Sequence, residues 1–223
     1  MGALPGHEHV RRLSLPWTIE EHRAPAGDLH ALGLPSQRVV RLLEATRPAL
    51  VLGSTQQESI VVGDVTGLDV VRRRSGGGAV LVEPGGVAWI DVAIARTDPL
   101  WDDDVGRAFH WLGDAWAAAL VLLGVVGADV HRGGLVRTAL SDLVCFAGLG
   151  PGEVTVGGAK VVGMAQRRTR EGALFQCAVP IEWNPDRLAI LLGLERVDAP
   201  VLSVVGRTQS ELLAALVAQL PED

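Results

Sequence analysis

Tyrosine is missing altogether from this chain of 223 residues, whereas Ala, Val, Leu and Gly abound. That bias reads as a GC-rich coding habit with little bearing on function. Cysteine is scarce: Cys145 and Cys177 are the only two, too few for a disulfide framework and suited to a reducing cytosol. No apolar stretch reaches the roughly 20 residues needed to span a bilayer, so no membrane role is expected. The N-terminus, with His7, Glu8 and His9 ahead of Arg11 and Arg12, has no apolar signal core, which points to a cytoplasmic protein. A basic stripe is missing too. The 20 basic and 26 acidic residues, net charge −6, are spread without long blocks, which speaks against nucleic acid as a partner. Repeats, low-complexity segments and linkers are absent. Residues 1–223 are therefore expected to form one domain, with 1–12 as a flexible tail.

Two common phosphate fingerprints are also lacking, the GK[ST] ending of a Walker loop and the G-x-G-x-x-G of a dinucleotide fold. In their place stands Arg72-Arg73-Arg74-Ser75-Gly76-Gly77-Gly78-Ala79-Val80, lodged between two β-branched runs. A glycine triplet permits positive φ and brings backbone N–H groups close to a ligand. Successive N–H groups in such a turn make an anion-binding concavity, and neighbouring arginines add charge. The loop reads as a cradle for a phosphate or carboxylate, the plainer alternative being a tight turn with solvated arginines.

Along the chain, residues 25–34 suggest a short helix with Asp28 near its start. Residues 37–43 and 49–53 read as strands, and Val61-Val62 with Asp69-Val70-Val71 bracket Gly67 like a hairpin. Two further β runs, 79–82 and 87–94, flank a turn at Pro84-Gly85-Gly86. Apolar residues at three- and four-residue steps predict an amphipathic helix over 104–124, ending near Gly124. Strands follow at 152–156, 160–165 and 173–179, then helices at 185–193 and 208–220, the latter with Thr208 and Glu211 spaced as a capping box. Strands first, then helices on one face, give an α+β class.

Lys160 opens an apolar strand after Gly157-Gly158; taken alone it is a solvent-facing lysine. Cys145, taken alone, is a small buried hydrophobe, and Cys177, in an apolar strand, is expected in the core. His22, His30, His110 and His131 stand isolated, without metal-ligand spacing, and are expected on solvated or helical surfaces. Trp101-Asp102-Asp103-Asp104 reads as a helix N-cap with an acidic first turn, not a metal site.

Arg72–Val80 and Gly157–Arg168 together resemble the two signatures of the lipoate–protein ligase A family, which is grouped with octanoyltransferases and biotin protein ligases. The resemblance covers roughly residues 26–195. It implies a catalytic domain with a mixed or antiparallel sheet flanked by helices. In that family the first loop wraps the acyl chain and phosphate of an acyl-adenylate. This implies substrate-binding roles for Arg72, Arg73, Arg74, Ser75, Gly76, Gly77, Gly78 and Ala79. Gly53-Ser54-Thr55-Gln56 is similar to a strand-end G-x-x-Q that lines the acyl pocket, and Val51, Leu52 and Val80 are expected to line an apolar tunnel. Asp28 is similar to an acidic residue on a family helix. The second signature, G-x-K-[IV]-x-G-x-A-x-R, implies that Lys160 contacts the acyl carbonyl and phosphate, with Gly163 and Ala165 beside it. Cys145-Phe146-Ala147 is similar to the octanoyltransferase branch, where a cysteine takes the acyl group as a thioester; a nearby Lys160 would favour its thiolate.

The first function implied is a ligase that activates lipoate or octanoate with ATP and Mg2+, with Asp142 as a metal-phosphate contact. The alternative is octanoyl transfer from acyl carrier protein through Cys145, with no cofactor. Either would modify a lysine of a lipoyl carrier domain, in a 2-oxoacid dehydrogenase or a glycine cleavage protein. A third reading is a non-catalytic acyl- or partner-binding subunit of a split ligase. The family's His-Asp after the glycine loop motivates that reading, because this chain has Leu81-Val82-Glu83-Pro84-Gly85 there. Ser141-Asp142 matches only half of the ligases' Asn-Asp. No C-terminal accessory domain of the longer ligases follows, so adenylate formation would call for a separate protein. The G-R-G-R-x-x loop of biotin ligases is not present.

Overall fold

The computed structural model describes residues 16–222. The tail expected over 1–12, with His7 and His9, lies outside the described residues. Ten strands form two sheets. The larger is built from β1 (Thr18–Ala24), β2 (Val39–Ala45), β6 (Val87–Ala95), β7 (Ala128–Val130), β8 (Val154–Val156), β9 (Ala159–Arg168) and β10 (Gly172–Pro180). Their order is β1-β2-β6-β10-β9-β8-β7, antiparallel except for the parallel pair β1/β2. The smaller sheet has β3 (Ala49–Leu52) between β4 (Asp69–Arg72), which is parallel to it, and β5 (Val80–Val82), which is antiparallel. The class is α+β with a mixed sheet.

Period-two alternation gives the larger sheet two different faces. Ala88, Ile90, Val92 and Ile94 of β6, with Phe175, Cys177 and Val179 of β10, pack against two helices, α2 (His110–Leu122) and α4 (Gln209–Val217). Trp116, Leu112, Leu212 and Leu216 fill that layer and are fully buried. The opposite face carries Trp89 and Asp91 of β6, Gln176 and Ala178 of β10, and Gly163 and Ala165 of β9. Strand register aligns these as two rows, Trp89–Ala178–Gly163 and Asp91–Gln176–Ala165. The smaller sheet covers this face. Val51 and Val82 join Trp89 and Leu43 in one apolar cluster, together with Ala26 and Leu29 of α1 (Ala26–Ala31). Leu50 and Leu52 turn the other way, onto α3 (Pro185–Leu192).

Four elements differ from the sequence expectation. Val61 and Val62 are not a strand: a 3-10 turn at Glu58–Ile60 precedes them, and the Val62 and Gly63 amides donate to Leu191 O, so β4 pairs with β3 alone. The helix expected from 104 begins as a 3-10 turn at Arg107–Phe109, with the Asp104 carboxylate accepting from the Gly106 and Arg107 amides, and becomes α-helical only at His110. β1 and β7 carried no sequence signal, β1 because as an edge strand it buries little of Thr-Ile-Glu-Glu-His-Arg-Ala, β7 because it is three residues long. The capping box at Thr208 and Glu211 forms as spaced. So does the turn at Gly157-Gly158, both at positive φ, the two-residue hairpin geometry that starts β9 one residue before Lys160.

Candidate active site

Glycine is required at Gly78 in the 76–78 loop, and at Gly53 beside it, because neighbouring backbone packs directly against both. A Cβ at Gly53 would lie 1.8 Å from Gly77 O, and a Cβ at Gly78 would lie 2.6–2.7 Å from backbone atoms of Val144 and Cys145. The loop is thus pressed between the end of β3 and the segment leading into a 3-10 turn, Cys145–Ala147. Ladder-like bonds hold that contact, Ala79 N to Leu143 O and Cys145 N to Ala79 O.

Arg73 organises the loop from below. Its Nη2 donates to Gly76 O (2.7 Å) and Gly78 O (2.9 Å), and Nη1 donates to Val51 O (3.3 Å). The side chain is buried, and among the described residues no carboxylate pairs with it. A buried cation without a counter-ion is costly. The nearby group able to supply negative charge is Cys145, whose thiol lies with the Arg73 guanidinium beside Gly77. Burial depresses the Arg73 pKa and Cys145 works against that shift.

Lys160 has a different set of partners from the one anticipated. Its ammonium pairs with Glu153 Oε2 at 2.7 Å and donates to Cys145 O and Gly148 O, both at 3.0 Å, so all three N–H groups are engaged. Glu153 in turn accepts from the Gly150 and Met164 amides. Both side chains are 4% exposed. The pair clamps residues 145–153 onto β9, with Lys160 at the Cys145 carbonyl and Arg73 flanking Gly77 together with the Cys145 thiol.

Two cavities meet at Cys145, Met164 and Ala165. The first, of about 490 Å3 counted with its opening to solvent, lies between the two sheets and is walled by Val51, Val80, Val82, Trp89, Phe146 and Ala178. The second, of about 1250 Å3 with its open mouth, is polar and is bounded by Gly76–Gly78, Arg137, Asp142, Glu153 and Lys160. The glycine loop and residue 160 therefore face one space, with the thiol at the passage into the apolar slot.

Three polar groups that sequence reading passed over line or flank the slot. His30, expected on a surface, is tucked against Trp89 with ring centroids 4.4 Å apart. Burial, with the Arg73 charge, lowers its pKa to about 4. Gln176 joins the glycine loop to the sheet: Ser75 Oγ donates to its Oε1 at 2.7 Å, and its Nε2 lies 3.4 Å from His30 Nδ1. Asp91, fully buried and bonded to Trp89 Nε1 at 2.8 Å, has its pKa pushed up by burial to about 7. No spacing motif announces these contacts, because apart from Trp89 and Asp91, two residues apart on β6, each partner comes from a different element.

The remaining expected site residues divide. Arg73, Cys145, Gly163, Ala165, Val51 and Val80 line the apolar slot, and Gly76, Gly77 and Gly78 line the polar cavity. Ser75 is buried against Gln176, and Ala79 is buried in the ladder behind the loop. Arg72 and Arg74 are exposed and line neither cavity; Arg72 faces Glu58. Gln56 points away from the slot, donating to Asp142 O and Leu143 O while its Oε1 accepts from Gly53 N. Leu52 sits in the α3 cluster, not in the slot. At the position of the absent His-Asp, Val82 lines the slot and Glu83 pairs with Arg187 of α3. Cys177 is buried in the core as expected, its thiol pushed up to about 12. Among the described residues no group of His, Cys, Asp and Glu is arranged to hold a metal, and no helix is long and apolar enough to cross a membrane.

Residues 29–215 match the family described as the lipoyl protein ligase A/B catalytic domain. The octanoyltransferase LipM of Carboxydothermus hydrogenoformans is 30% identical over 164 residues, 72% of this chain and 59% of that protein. The octanoyltransferase LipM of Clostridioides difficile is 28% identical over 109 residues, 49% of this chain and 39% of that protein. The chain thus spans well under two thirds of the length of these curated relatives. Among solved structures, a T. acidophilum protein with bound lipoic acid superposes with a TM-score of 0.69 at 20% identity, covering 93% of this chain and 84% of the other, a likeness of fold.

Proposed function

Because this chain belongs to the lipoyl protein ligase A/B catalytic-domain family, we propose that it transfers a medium-chain acyl group, octanoyl or lipoyl, to a lysine of a lipoyl carrier domain through a thioester on Cys145. The observation that carries this reading is the pairing of a buried Arg73, without a carboxylate, and a thiol at the meeting point of an apolar and a polar cavity. The thiolate is the nucleophilic form of that side chain. That sulfur attacks the carbonyl of an acyl thioester, and the carrier's thiolate leaves and takes up a proton. The acyl tail lies in the apolar slot while the carrier arm occupies the polar side. A lysine amine then attacks the Cys145 thioester; the C–S bond breaks, an amide forms, and the amine's surplus proton passes to solvent. Lys160 and Glu153 act in this scheme by holding the loop that bears Cys145. The proposed setting is cytoplasmic, with acyl carrier protein as the donor partner.

A second reading, the ATP-dependent ligase, draws on the same buried Arg73, which would equally hold the carboxylate of a free acid. The carboxylates lining the polar cavity favour it less. Glu153 is consumed by Lys160 and two amides, which leaves Asp142, exposed and paired with Arg137 at 3.0 Å, as the one other carboxylate of that lining for the Mg2+ that ATP brings. Intact-protein mass spectrometry after incubation with octanoyl carrier protein separates the two. An adduct of one octanoyl group, lost in Cys145→Ala, is expected; acyl transfer by Cys145→Ala at the native rate with ATP and free acid would overturn the thioester route.

A further inference from the structure

His30 lines the apolar slot, and its Nε2, closed off from solvent, has no hydrogen-bond partner among the described residues. Its neighbours determine what this nitrogen offers. Gln176 Oε1 takes the Ser75 hydroxyl, so the Gln176 amide N–H groups turn toward Asp91 and toward His30 Nδ1. An Nδ1 that accepts leaves the ring proton of the neutral imidazole on Nε2. The position of the ring proton is assigned from this network. Burial keeps the ring neutral at physiological pH. A tilted contact with Trp89, the ring planes 39° apart, restrains the ring. The result is one N–H donor facing a wall that is otherwise nearly all hydrocarbon.

An unmet buried donor costs free energy that a ligand acceptor can remove, and a saturated chain has none to give. We propose that His30 is a specificity residue of the slot, favouring an acyl chain that carries a hydrogen-bond acceptor along its length, as the dithiolane of a lipoyl group does, over a plain octanoyl chain. Sulfur is a weak acceptor, so the discrimination is modest. Val82, on the same wall, offers nothing polar to compete for that role. The inference rests on the acyl-slot reading above, but not on chemistry at Cys145.

Calorimetric titration of the full chain with lipoic acid and with octanoic acid tests it without any acyl donor. The unmodified protein is expected to bind lipoic acid about tenfold more tightly, the scale of one modest hydrogen bond. His30→Phe keeps an aromatic ring against Trp89 but removes the donor, and should bring the two affinities within about twofold of each other. His30→Gln restores a donor and should recover part of the preference; it also serves should the phenylalanine variant fail to fold, as judged by circular dichroism. Equal binding of both acids by the unmodified protein, or an undiminished preference in both variants, overturns the proposal. Binding of neither acid overturns it together with the acyl slot. Selective binding with no adduct ever forming on Cys145 leaves it standing and removes only the thioester route.

Discussion

The guanidinium of Arg73 and the thiol of Cys145 flank Gly77 beneath the glycine loop, and the arginine has no carboxylate partner among the described residues. A thiol so placed should be reactive while Cys177, buried and pushed up to about 12, should not. Iodoacetamide is expected to add one label to the native protein, on Cys145, and two after unfolding. Arg73→Met should slow the native labelling about tenfold or more and the acyl-transfer rate by about 10². Unchanged labelling in Arg73→Met would show that the guanidinium does not activate the sulfur.

Lys160 and Glu153 form a buried ion pair in which each partner's remaining hydrogen-bonding capacity is also used. Removing one partner strands the other charge away from water. Glu153→Gln and Lys160→Met should each lower unfolding stability by about 3–5 kcal/mol, whereas Glu153→Gln/Lys160→Met together should cost clearly less than their sum. Urea unfolding at neutral pH supplies the four values of the cycle. Strict additivity would mean that the two side chains act independently.

These two pairs show what sequence reading reaches in this chain. Thr208 with Glu211 and the Gly157-Gly158 turn were legible, because their partners lie within a few residues and their chemistry is local. The glycine loop and the Lys160 strand were legible as motifs, but their contacts were not. Arg73 and Cys145 are 72 positions apart, and the choice of Arg73 over its neighbours Arg72 and Arg74 depends on which way β4 faces. Glu153 looked like an ordinary strand-end acid until the bulge at Val154/Thr155 and the turn to β9 brought it to Lys160. His30 was assigned to a surface because one polar residue on a six-residue helix carries no periodic signal; only the packing of α1 across the sheet edge shows where it goes.

Gly53 and Gly76 separate close packing from mere flexibility within one motif. A Cβ at Gly53 collides with the Gly77 carbonyl, a backbone atom that Arg73 and Val144 prevent from yielding easily. Gly53→Ala should destabilise the protein by about 1–3 kcal/mol and displace the loop, with acyl transfer largely lost. At Gly76 a Cβ meets nothing within 4 Å and φ is not positive, so Gly76→Ala should change stability by no more than about 0.5 kcal/mol. Thermal or urea melts of the two variants, run beside the unmodified protein, decide the point.

Asp91 and His30 sit on either side of Gln176 and titrate in opposite senses. Burial raises Asp91 to about 7 from an ordinary value near 3.8, so the folded state keeps a proton that the unfolded chain releases. That contribution is full below about pH 4 and is lost as pH rises toward 7. His30 is lowered to about 4 from 6.5, so the folded state refuses a proton that the unfolded chain accepts. Its contribution is full above about pH 6.5 and is lost as pH falls to 4. Asp91 is worth about 4 kcal/mol and His30 about 3 kcal/mol, and over the shared window they oppose one another. Relative to the unmodified protein, His30→Phe should lose stability progressively as pH rises from 4 to 7, and Asp91→Asn should lose it as pH falls from 6.5 to 4. Urea midpoints taken at pH 4, 5, 6 and 7 give both difference curves. Curves that are flat, or that slope the same way, would show that at least one of these groups carries its ordinary proton affinity in the folded protein.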